Sequence, residues 1–314
     1  MKIITQKQIK ALSISPIQCI DWVRESFAIK KYSQLPAKIS VHPQGYDYYT
    51  AMPCLLPSNY NRVGLKMVHR VSGAVPSVVS DILLYETSTG QLLALMDCDW
   101  ITAMRTGATA TVAAQALRRS DCETYCFIGL GNTARATMLC LLESEPDVQH
   151  HVILLRYKNQ AELFASRFEQ YHNVTFEIMD NTHDMISKSD VIFSCITDAQ
   201  EPICNDLSKF RPGCTLIPIH VRGFENCDTY FDRIFGDDTA PIRTWKHFSE
   251  FKHYAELSDV LYGTDGRKND NERILSYNYG LGLHDALFAT KIYESLKSES
   301  FEFEMNKETE KFWI

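Results

Sequence analysis

The sequence CFIGLGNTARA, from Cys126 to Ala136, joins an apolar segment to a helical one through two closely spaced glycines. Gly129, Gly131 and Ala134 form the pattern G-x-G-x-x-A. In such a turn the first glycine allows a tight bend, the second leaves room for a pyrophosphate, and the third small residue lets helix and strand pack closely. A plain strand-to-helix turn also uses glycine, but this pattern between a strand and a helix is more specific. The stretch therefore predicts a dinucleotide-binding turn with amide donors at a helix N-terminus.

Downstream of this turn, apolar strand-like segments alternate with amphipathic helical segments. Helices are predicted over 132–144 and 159–170. Because strand–helix–strand units form right-handed crossovers, their repetition indicates a parallel sheet. The predicted strands are 123–129, 151–156, 174–179, 190–196, 214–219 and, as the last one, 233–238. The pattern indicates an α/β fold that contains a Rossmann-type parallel sheet domain.

The first hundred residues have an α+β pattern. Ser15 and Pro16 are placed as the N-cap and first-turn residue of a helix. Strand-like runs follow, and 82–97 has two apolar runs around a glycine-containing turn, which predicts a hairpin. No helix long enough for a parallel crossover separates these runs, so this sheet is predicted to be mostly antiparallel. A long helix over 99–120 links the two domains, and 282–296 is predicted as an amphipathic helix.

Composition narrows the class of protein. The formal net charge of -7 argues against general nucleic-acid binding, and no stretch is apolar enough to span a bilayer. The first residues lack the apolar core of a secretory signal. The ten cysteines include no C-x-x-C pair, so no metal site is predicted. Cys126, Cys195 and Cys214 lie in apolar runs, as expected of buried thiols in a reducing compartment, and we expect a cytoplasmic protein.

The end of the second predicted strand bears on the choice of cofactor. An acidic residue there would hold the ribose 2'-hydroxyl of NAD, but the sequence continues with Arg156, Tyr157 and Lys158. Arg156 and Lys158 suit a 2'-phosphate, although both could be solvated surface residues. The sequence therefore favours NADP(H) and leaves NAD(H) open. The predicted cofactor-binding set comprises Gly129, Gly131, Asn132, Thr133, Ala134, Arg156, Lys158, Thr106 and Thr197.

Residues 89–117 precede the glycine turn and contain a T-G-x-x-x-A-x-x-D hairpin followed by an R-T-G helix. In these two motifs the chain closely resembles the ornithine cyclodeaminase/μ-crystallin family. Met52-Pro53 with 64–68 matches the family's M-P…G-x-K, and 263–293 matches its G-R…G-L-A-x-x-D ending. The resemblance covers nearly the whole chain. It implies a homodimer with a substrate-binding and dimerisation domain over 1–118 and 281–314, and a Rossmann dinucleotide-binding domain over 119–280.

The resemblance also implies hydride transfer between nicotinamide and the Cα of a small amino or imino acid. The family's carboxylate-binding Lys and Arg correspond to Lys66 and Arg105, and its third basic residue to Lys38. Met52 completes the substrate-binding set. Taken alone, Lys66 could be a solvated lysine on a strand. A buried, unpaired arginine is costly, so Arg105 is expected to have a carboxylate as its partner or ligand.

One departure from the family concerns a loop near G-G/S-D-x-P-G-K-x-E-L-D, whose first Asp acts on the substrate amine in cyclodeaminases. Here Gly223, Glu225 and Asp228 match the end of that loop, but the Asp is absent, and His220 or Arg222 lies in its neighbourhood. His220 could be an acid/base group, with an ordinary pKa near the working range, or it could simply cap a strand end. The prediction is an NAD(P)-dependent oxidoreductase. The alternatives are a cyclodeaminase with bound NAD and a catalytically silent nucleotide-binding or accessory subunit.

Overall fold

The computed structural model describes residues 1–197, 199–220, 222–296 and 301–303. They divide into two compact units. The first unit comprises Met1–Ile14, Tyr32–Thr102 and the described residues from Asp285 onward, and the second comprises Ser15–Lys31 and Ala103–His284. The mixed α/β class predicted from the sequence is confirmed.

The first unit contains a seven-stranded sheet among the described residues. Its strands are β1 (Lys2–Ile4), β2 (Ile39–Val41), β3 (Tyr48–Leu55), β4 (Arg62–Arg70), β5 (Val78–Glu86), β6 (Leu92–Asp97) and β15 (Phe301–Glu302). The strand order is β15-β1-β6-β5-β4-β3-β2. Every neighbouring pair is antiparallel except β1 and β6, so the predicted mostly antiparallel sheet and the hairpin of β5 and β6 are confirmed.

The second unit contains a fully parallel eight-stranded sheet. Its strands are β7 (Thr124–Ile128), β8 (His150–Leu155), β9 (Val174–Met179), β10 (Val191–Ser194), β11 (Thr215–Pro218), β12 (Arg233–Gly236), β13 (Tyr254–Glu256) and β14 (Ile274–Tyr277). The order is β13-β12-β14-β11-β10-β7-β8-β9. Its β9-β8-β7-β10-β11 portion has the Rossmann order, which reverses next to β7.

The helices follow from local sequence signals. Ser15 caps one of them through the amide of Gln18, as predicted, and Pro16 occupies its first position. The helices are α1 (Gln6–Ala11), α2 (Pro16–Ile29), α3 (Asp99–Leu117), α4 (Asn132–Ser144), α5 (Gln160–Ser166), α6 (Thr182–Lys188), α7 (Thr239–Ile242), α8 (Leu257–Tyr262) and α9 (Gly282–Ser295). Short 3₁₀ turns cover Lys30–Tyr32, Leu207–Lys209, Glu225–Cys227 and Phe248–Glu250.

The prediction that the strand over 233–238 is the last one was wrong. β13 and β14 follow it, and β14 inserts between β11 and β12. β14 was hard to predict because it has only four strand residues, all of them buried, and polar residues flank them. The charged segment from residue 298 onward lies outside the described residues except for 301–303.

The compact units and the predicted functional domains divide the chain differently. Residues 15–31 and 103–118 belong to the second unit, whereas the sequence assigns them to the first domain. The substrate-binding and dimerisation roles of that domain stay predictions. None of the ten cysteines forms a disulfide, and all ten are buried, as the sequence indicated for three of them. Over the ranges that the structure describes, the helices are too short or too polar to cross a membrane.

Candidate active site

Gly129 directly follows β7, at the predicted turn into α4. Its φ of +83° lies in the left-handed region that favours glycine. A Cβ at this position would also lie 2.9 Å from the backbone nitrogen of Ile196, beyond the end of β10. The fold itself therefore requires glycine at position 129, with or without a ligand.

Gly131 is different, because nothing in the described protein requires it to be glycine. It is the N-cap of α4, with a φ of -79° that any residue adopts. Within the described residues, no neighbouring atom lies within 4 Å of a Cβ built there, and no side chain caps the helix. Ala134 is fully buried beneath the turn. Open space in front of an uncapped helix N-terminus fits a pyrophosphate held by backbone amides.

The predicted residues Arg105 and Thr106 lie on α3, which approaches α4 closely. A Cβ on Gly107 would be only 2.5 Å from the carbonyl carbon of Ala136, so glycine permits this contact. Arg105 and Thr106 are only 8% and 7% exposed. The packing of α3 brings this part of the R-T-G motif close to the first two turns of α4, the helix that the glycine turn opens.

The guanidinium of Arg105 lies against the backbone of Gly280, which follows β14. A Cβ on Gly280 would be 2.7 Å from Nη1 of Arg105, and the φ of Gly280 is +85°. The amide of Gly280 donates to Oδ2 of the buried Asp237 at 2.5 Å. Asp237 and Gly280, which the sequence reasoning missed, therefore fix the backbone surface beside which the arginine side chain lies.

His220 lies just beyond β11, near Arg105. Surrounding protein lowers the pKa of the imidazole to about 4 by desolvating its charged form, and the positive charge of Arg105 adds to this shift. The side chain nevertheless keeps substantial exposure to solvent, so water moderates the shift. The pKa of His220 is therefore lower than the ordinary value expected from the sequence, and the imidazole is neutral at neutral pH. Its role as an acid/base group stays a prediction.

We expect Arg105→Gln to raise the pKa of His220, because removing a nearby positive charge favours the imidazolium form. The pKa should remain below the ordinary histidine value, since the surrounding protein is the larger cause. An NMR titration of the His220 ring in both proteins measures this, with Arg24→Gln on α2 as the control. An identical midpoint for His220 in the wild type and in Arg105→Gln would contradict the assigned coupling.

The residues that match the end of the family loop are held by hydrogen bonds within the protein. Gly223, at a φ of +87°, donates its amide to Oε2 of Glu225 at 2.8 Å. Asp228 accepts a hydrogen bond from the hydroxyl of Tyr277 at 2.5 Å, and both side chains are buried. Burial raises the pKa of Asp228 to about 6, against the opposing effect of that hydrogen bond. The loop is thereby fixed to the end of β14.

In the first unit, the predicted substrate residues lie in one cross-strand row. Met52 on β3 is directly opposite Lys66 on β4, and both are buried. Lys38, which is half-buried, precedes Ile39, and Ile39 is opposite Ala51. Continuing this register places Lys38 opposite Met52. The three residues of this set that belong to the first unit are therefore neighbours on one face of the sheet.

Lys66 already has a counter-ion within the protein. Its Nζ lies 2.9 Å from Oδ1 of Asp285, in the first turn of α9, and neither side chain is exposed. Asp285 is the aspartate that ends the G-L-A-x-x-D motif, but its partner is 219 positions away and could not be identified from the sequence. The idea that Lys66 is a solvated lysine is therefore wrong. Direct binding of substrate by Lys66 stays a prediction.

The predicted 2'-phosphate residues are exposed beyond the end of β8. Arg156 pairs with Glu162 in the first turn of α5 and, through Nε at 2.8 Å, with Asp180 after β9. Lys158 has a φ of +54°, and its Nζ lies 5.4 Å from the centre of the Tyr157 ring. Sequence reasoning correctly found no carboxylate directly after β8, but it missed the two that the fold brings to Arg156.

The remaining predicted residues lie near the carboxyl edge of the parallel sheet. Asn132 is exposed and Thr133 half-buried in the first turn of α4. Thr197 is exposed and follows Ile196, the residue that contacts the Gly129 turn. In open α/β sheets ligands bind at this edge, next to the point where the strand order reverses.

A glycine turn on a Rossmann-ordered parallel sheet defines a dinucleotide-binding class of fold. More particularly, the chain belongs to the ornithine cyclodeaminase/mu-crystallin family, whose model matches residues 1–225. A relative called Delta(1)-pyrroline-2-carboxylate reductase, from Bacillus cereus, is 26% identical over 230 residues, or 68% of this chain and 70% of the relative. The resemblance found in the sequence motifs is thereby confirmed.

Two solved structures share the fold. The Delta(1)-pyrroline-2-carboxylate reductase of Thermococcus litoralis, in complex with NADH and L-proline, has a TM-score of 0.81 at 23% identity, covering 94% of this chain and 97% of that one. An archaeal alanine dehydrogenase dimer with bound NAD has a TM-score of 0.81 at 22% identity, covering 96% and 99%.

Proposed function

We propose that this protein is an NAD(P)-dependent oxidoreductase that transfers a hydride at the Cα of a small amino or imino acid. The observation that carries the proposal is Gly131: the protein's own packing and backbone do not require glycine there, but a bound pyrophosphate would. Family membership and the name of the Bacillus cereus relative support the same chemistry. A bound nicotinamide would give or take the hydride.

Arg105 is the residue best suited to the substrate carboxylate. Its planar guanidinium presents paired N–H donors that match a carboxylate, and it is charged at every physiological pH. Contact with the Gly280 backbone restricts how the guanidinium rotates. Holding the carboxylate at a fixed position also fixes the adjacent Cα, which is the requirement for efficient transfer.

His220 is the proposed proton acceptor. A neutral imidazole can remove a proton from a substrate ammonium in the oxidative direction. A carboxylate on Arg105 would cancel part of the positive charge that disfavours protonated His220, so substrate binding would make the proton easier to accept. The departure from the cyclodeaminase loop favours net hydride transfer over cyclisation with loss of ammonia.

The substrate class is a small imino acid, such as a cyclic imine that carries a carboxylate, or the corresponding amino acid. The Bacillus cereus relative is named for reduction of such a compound. The test follows the absorbance of reduced nicotinamide with purified full-length chain across cyclic imines, 2-oxo acids with ammonia, and amino acids. Net oxidation with an imine supports the proposal, and no change with any of them contradicts it.

For the cofactor, NADP(H) is favoured over NAD(H). Arg156 and Lys158 lie at the end of β8, on the side of the switch point where the adenosine ribose binds in Rossmann folds. The ion pairs of Arg156 with Glu162 and Asp180 compete with a 2'-phosphate, but exposed pairs of this kind are screened by water and contribute little. A phosphate carries more negative charge and more acceptor oxygens than either carboxylate, so we expect it to displace them.

We expect NADPH to bind about tenfold more tightly than NADH. The preference should be modest because Glu162 and Asp180 compete with the 2'-phosphate for Arg156. Arg156→Ala should remove the preference, and Asp180→Asn should increase it by freeing the guanidinium. Fluorescence titration of both cofactors measures the ratio, with Arg167→Ala at the end of α5 as the control. A wild-type preference for NADH, or unchanged discrimination in Arg156→Ala, would refute this choice.

We also propose a homodimer. Residues on the less buried face of the first-unit sheet are mostly apolar and partly exposed. Leu65 is opposite Leu83, which is opposite Leu95, and Met67 lies beside them, with Asp81 and Asp97 at the border of this apolar group. Met67 and Leu95 are 39% and 36% exposed. A contiguous apolar sheet surface typically marks an interface, and a two-fold dimer would bury the same surface on both copies.

Accordingly, the wild-type chain should have twice the monomer mass in light scattering coupled to size exclusion. Leu83→Lys should give monomers, because two lysines would meet in an apolar interface. Leu163→Lys, at an exposed leucine on α5, serves as the control. A wild-type monomer, or an undisturbed Leu83→Lys dimer, would show that this surface is not the interface.

A cytoplasmic location is proposed from the thiols. None of the ten cysteines forms a disulfide, and burial raises the pKa of most of them, for example Cys54 and Cys126 to about 12. Thiols in this state suit a reducing compartment. Fractionation of cells that express the full-length chain tests this, and recovery outside the cytoplasm would contradict it.

A further inference from the structure

Asn278 is a buried amide whose hydrogen-bonding capacity is unused by the described protein. It directly follows β14 and is 3% exposed. Within the described residues, neither its Oδ1 nor its Nδ2 has a hydrogen-bond partner. Leaving both polar atoms of a buried amide without hydrogen bonds is unfavourable, and a ligand that pairs with both of them would remove that cost.

The position of Asn278 is at the carboxyl edge of the parallel sheet. β14 pairs with β11 so that Leu275 is opposite Leu216, and continuing that register places Asn278 beside Ile219. The β11–β10 and β10–β7 registers continue the row through Cys195 to Gly129. Asn278 is thus in line with the glycine turn, about three strand spacings or roughly 14 Å away.

The side of the glycine turn on which Asn278 lies is the side where the nicotinamide half of a dinucleotide would bind. The strand order reverses next to β7, so a dinucleotide that crosses there has its two halves on opposite sides. Arg156, after β8, is on one side. Asn278 is on the other side, close to Gly280 and therefore to the guanidinium of Arg105.

We propose that the side chain of Asn278 binds the carboxamide of the nicotinamide ring, an inference that rests on the proposed function. Its free donor and free acceptor match a carboxamide, which offers one of each. A substrate carboxylate would satisfy only Nδ2 and would be repelled by Oδ1, while a substrate amine would satisfy only Oδ1. Of the substrate carboxylate, the substrate amine and the nicotinamide carboxamide, the carboxamide alone pairs with both atoms, and the ribose hydroxyls are tested by the ADP-ribose fragment, which keeps them.

Ser276 provides a matched control on the same strand. Its buried Oγ also has no partner within the described residues, and in a pleated strand it lies on the same face as Asn278. It is two residues deeper in the sheet, away from the edge where the ligand would bind. If Asn278→Ala weakens binding only by creating a cavity or lowering stability at this face, Ser276→Ala should weaken binding as well. If Asn278 binds the carboxamide, Ser276→Ala should leave cofactor affinity unchanged.

The experiment measures dissociation constants by calorimetry for the preferred reduced cofactor and for the matching ADP-ribose fragment, which lacks nicotinamide. Asn278→Ala should weaken the cofactor about 10- to 100-fold, since two hydrogen bonds are lost, and leave the fragment unchanged. Ser276→Ala should change neither constant. Equal weakening of both ligands, or an unchanged cofactor affinity, would overturn the assignment.

A second arm uses the 3-acetylpyridine analogue of the oxidised cofactor, in which a methyl replaces the amide nitrogen. The wild type should bind this analogue several-fold less tightly than the parent cofactor, and Asn278→Ala should bind the two alike. Equal discrimination in both proteins would overturn the proposal. Failure of the wild type to bind any dinucleotide would instead contradict the proposed function itself.

Discussion

We expect Gly131→Val to lose nearly all nucleotide binding in a protein that still folds. The expected loss is at least about 100-fold in affinity, or about 2.7 kcal/mol, because the valine side chain fills the space of the pyrophosphate and blocks the amides at the start of α4. The fold should tolerate the change, since Gly131 has an ordinary φ and open space around its Cβ position in the described residues. Titration with NADPH and NADH measures the affinity.

Gly131→Ala is the graded companion of this variant. It adds one methyl group and should give a smaller loss of affinity, with the same circular dichroism spectrum as the wild type. Gly129 is unsuitable for this purpose because its φ of +83° and its contact with Ile196 make any substitution a folding defect. Undiminished cofactor affinity in folded Gly131→Val would mean that the turn holds no dinucleotide.

Arg105→Lys should lose most of the activity although it keeps the charge. An ammonium cannot reproduce the paired contact of a guanidinium with a carboxylate. The smaller ammonium would also lose the contact that the guanidinium makes with the backbone of Gly280. We expect kcat/KM to fall about 100-fold, or about 2.7 kcal/mol of transition-state stabilisation. Steady-state kinetics with the imino acid that the substrate screen identifies measures this loss.

Nucleotide affinity should hardly change in Arg105→Lys, which separates a substrate contact from a disturbed fold. Arg24→Lys on α2 is the matched control, because it is also an arginine on a helix of the second unit. Lys66→Ala is a poorer test than the sequence alone indicated. It would leave the buried Asp285 without its counter-ion, at an expected cost of about 3–5 kcal/mol in folding free energy. Full turnover by Arg105→Lys would contradict the proposal that Arg105 binds the substrate carboxylate.

The parts of the fold that could be predicted are those that local pattern determines. The glycine turn, the cap at Ser15 and the alternation of strands with helices each depend on residues a few positions apart. The insertion of β14 between β11 and β12 depends on pairing across the sheet. The spacing of apolar residues within one short segment does not reveal which strands that segment will pair with.

The site shows the same distinction. Motif residues such as Gly129, Gly131 and Arg105 could be named because their chemistry and order in the chain are distinctive. Their partners could not, since Asp285 pairs with a lysine 219 positions away and Asp180 reaches Arg156 only through the pairing of β8 with β9. Asn278 was missed because an asparagine near a strand end looks ordinary until its burial and lack of partners are known.

The proposed enzyme transfers a hydride, with net change of the cofactor, between nicotinamide and the Cα of an amino or imino acid. The most direct test incubates the purified full-length chain with reduced cofactor and a panel of cyclic imino acids, while cofactor absorbance and ammonia are followed together. We expect stoichiometric cofactor oxidation with at least one imino acid, no ammonia release, and loss of the signal in Arg105→Lys. Ammonia release from a diamino acid without net change in the cofactor, or no turnover across the panel, would contradict it.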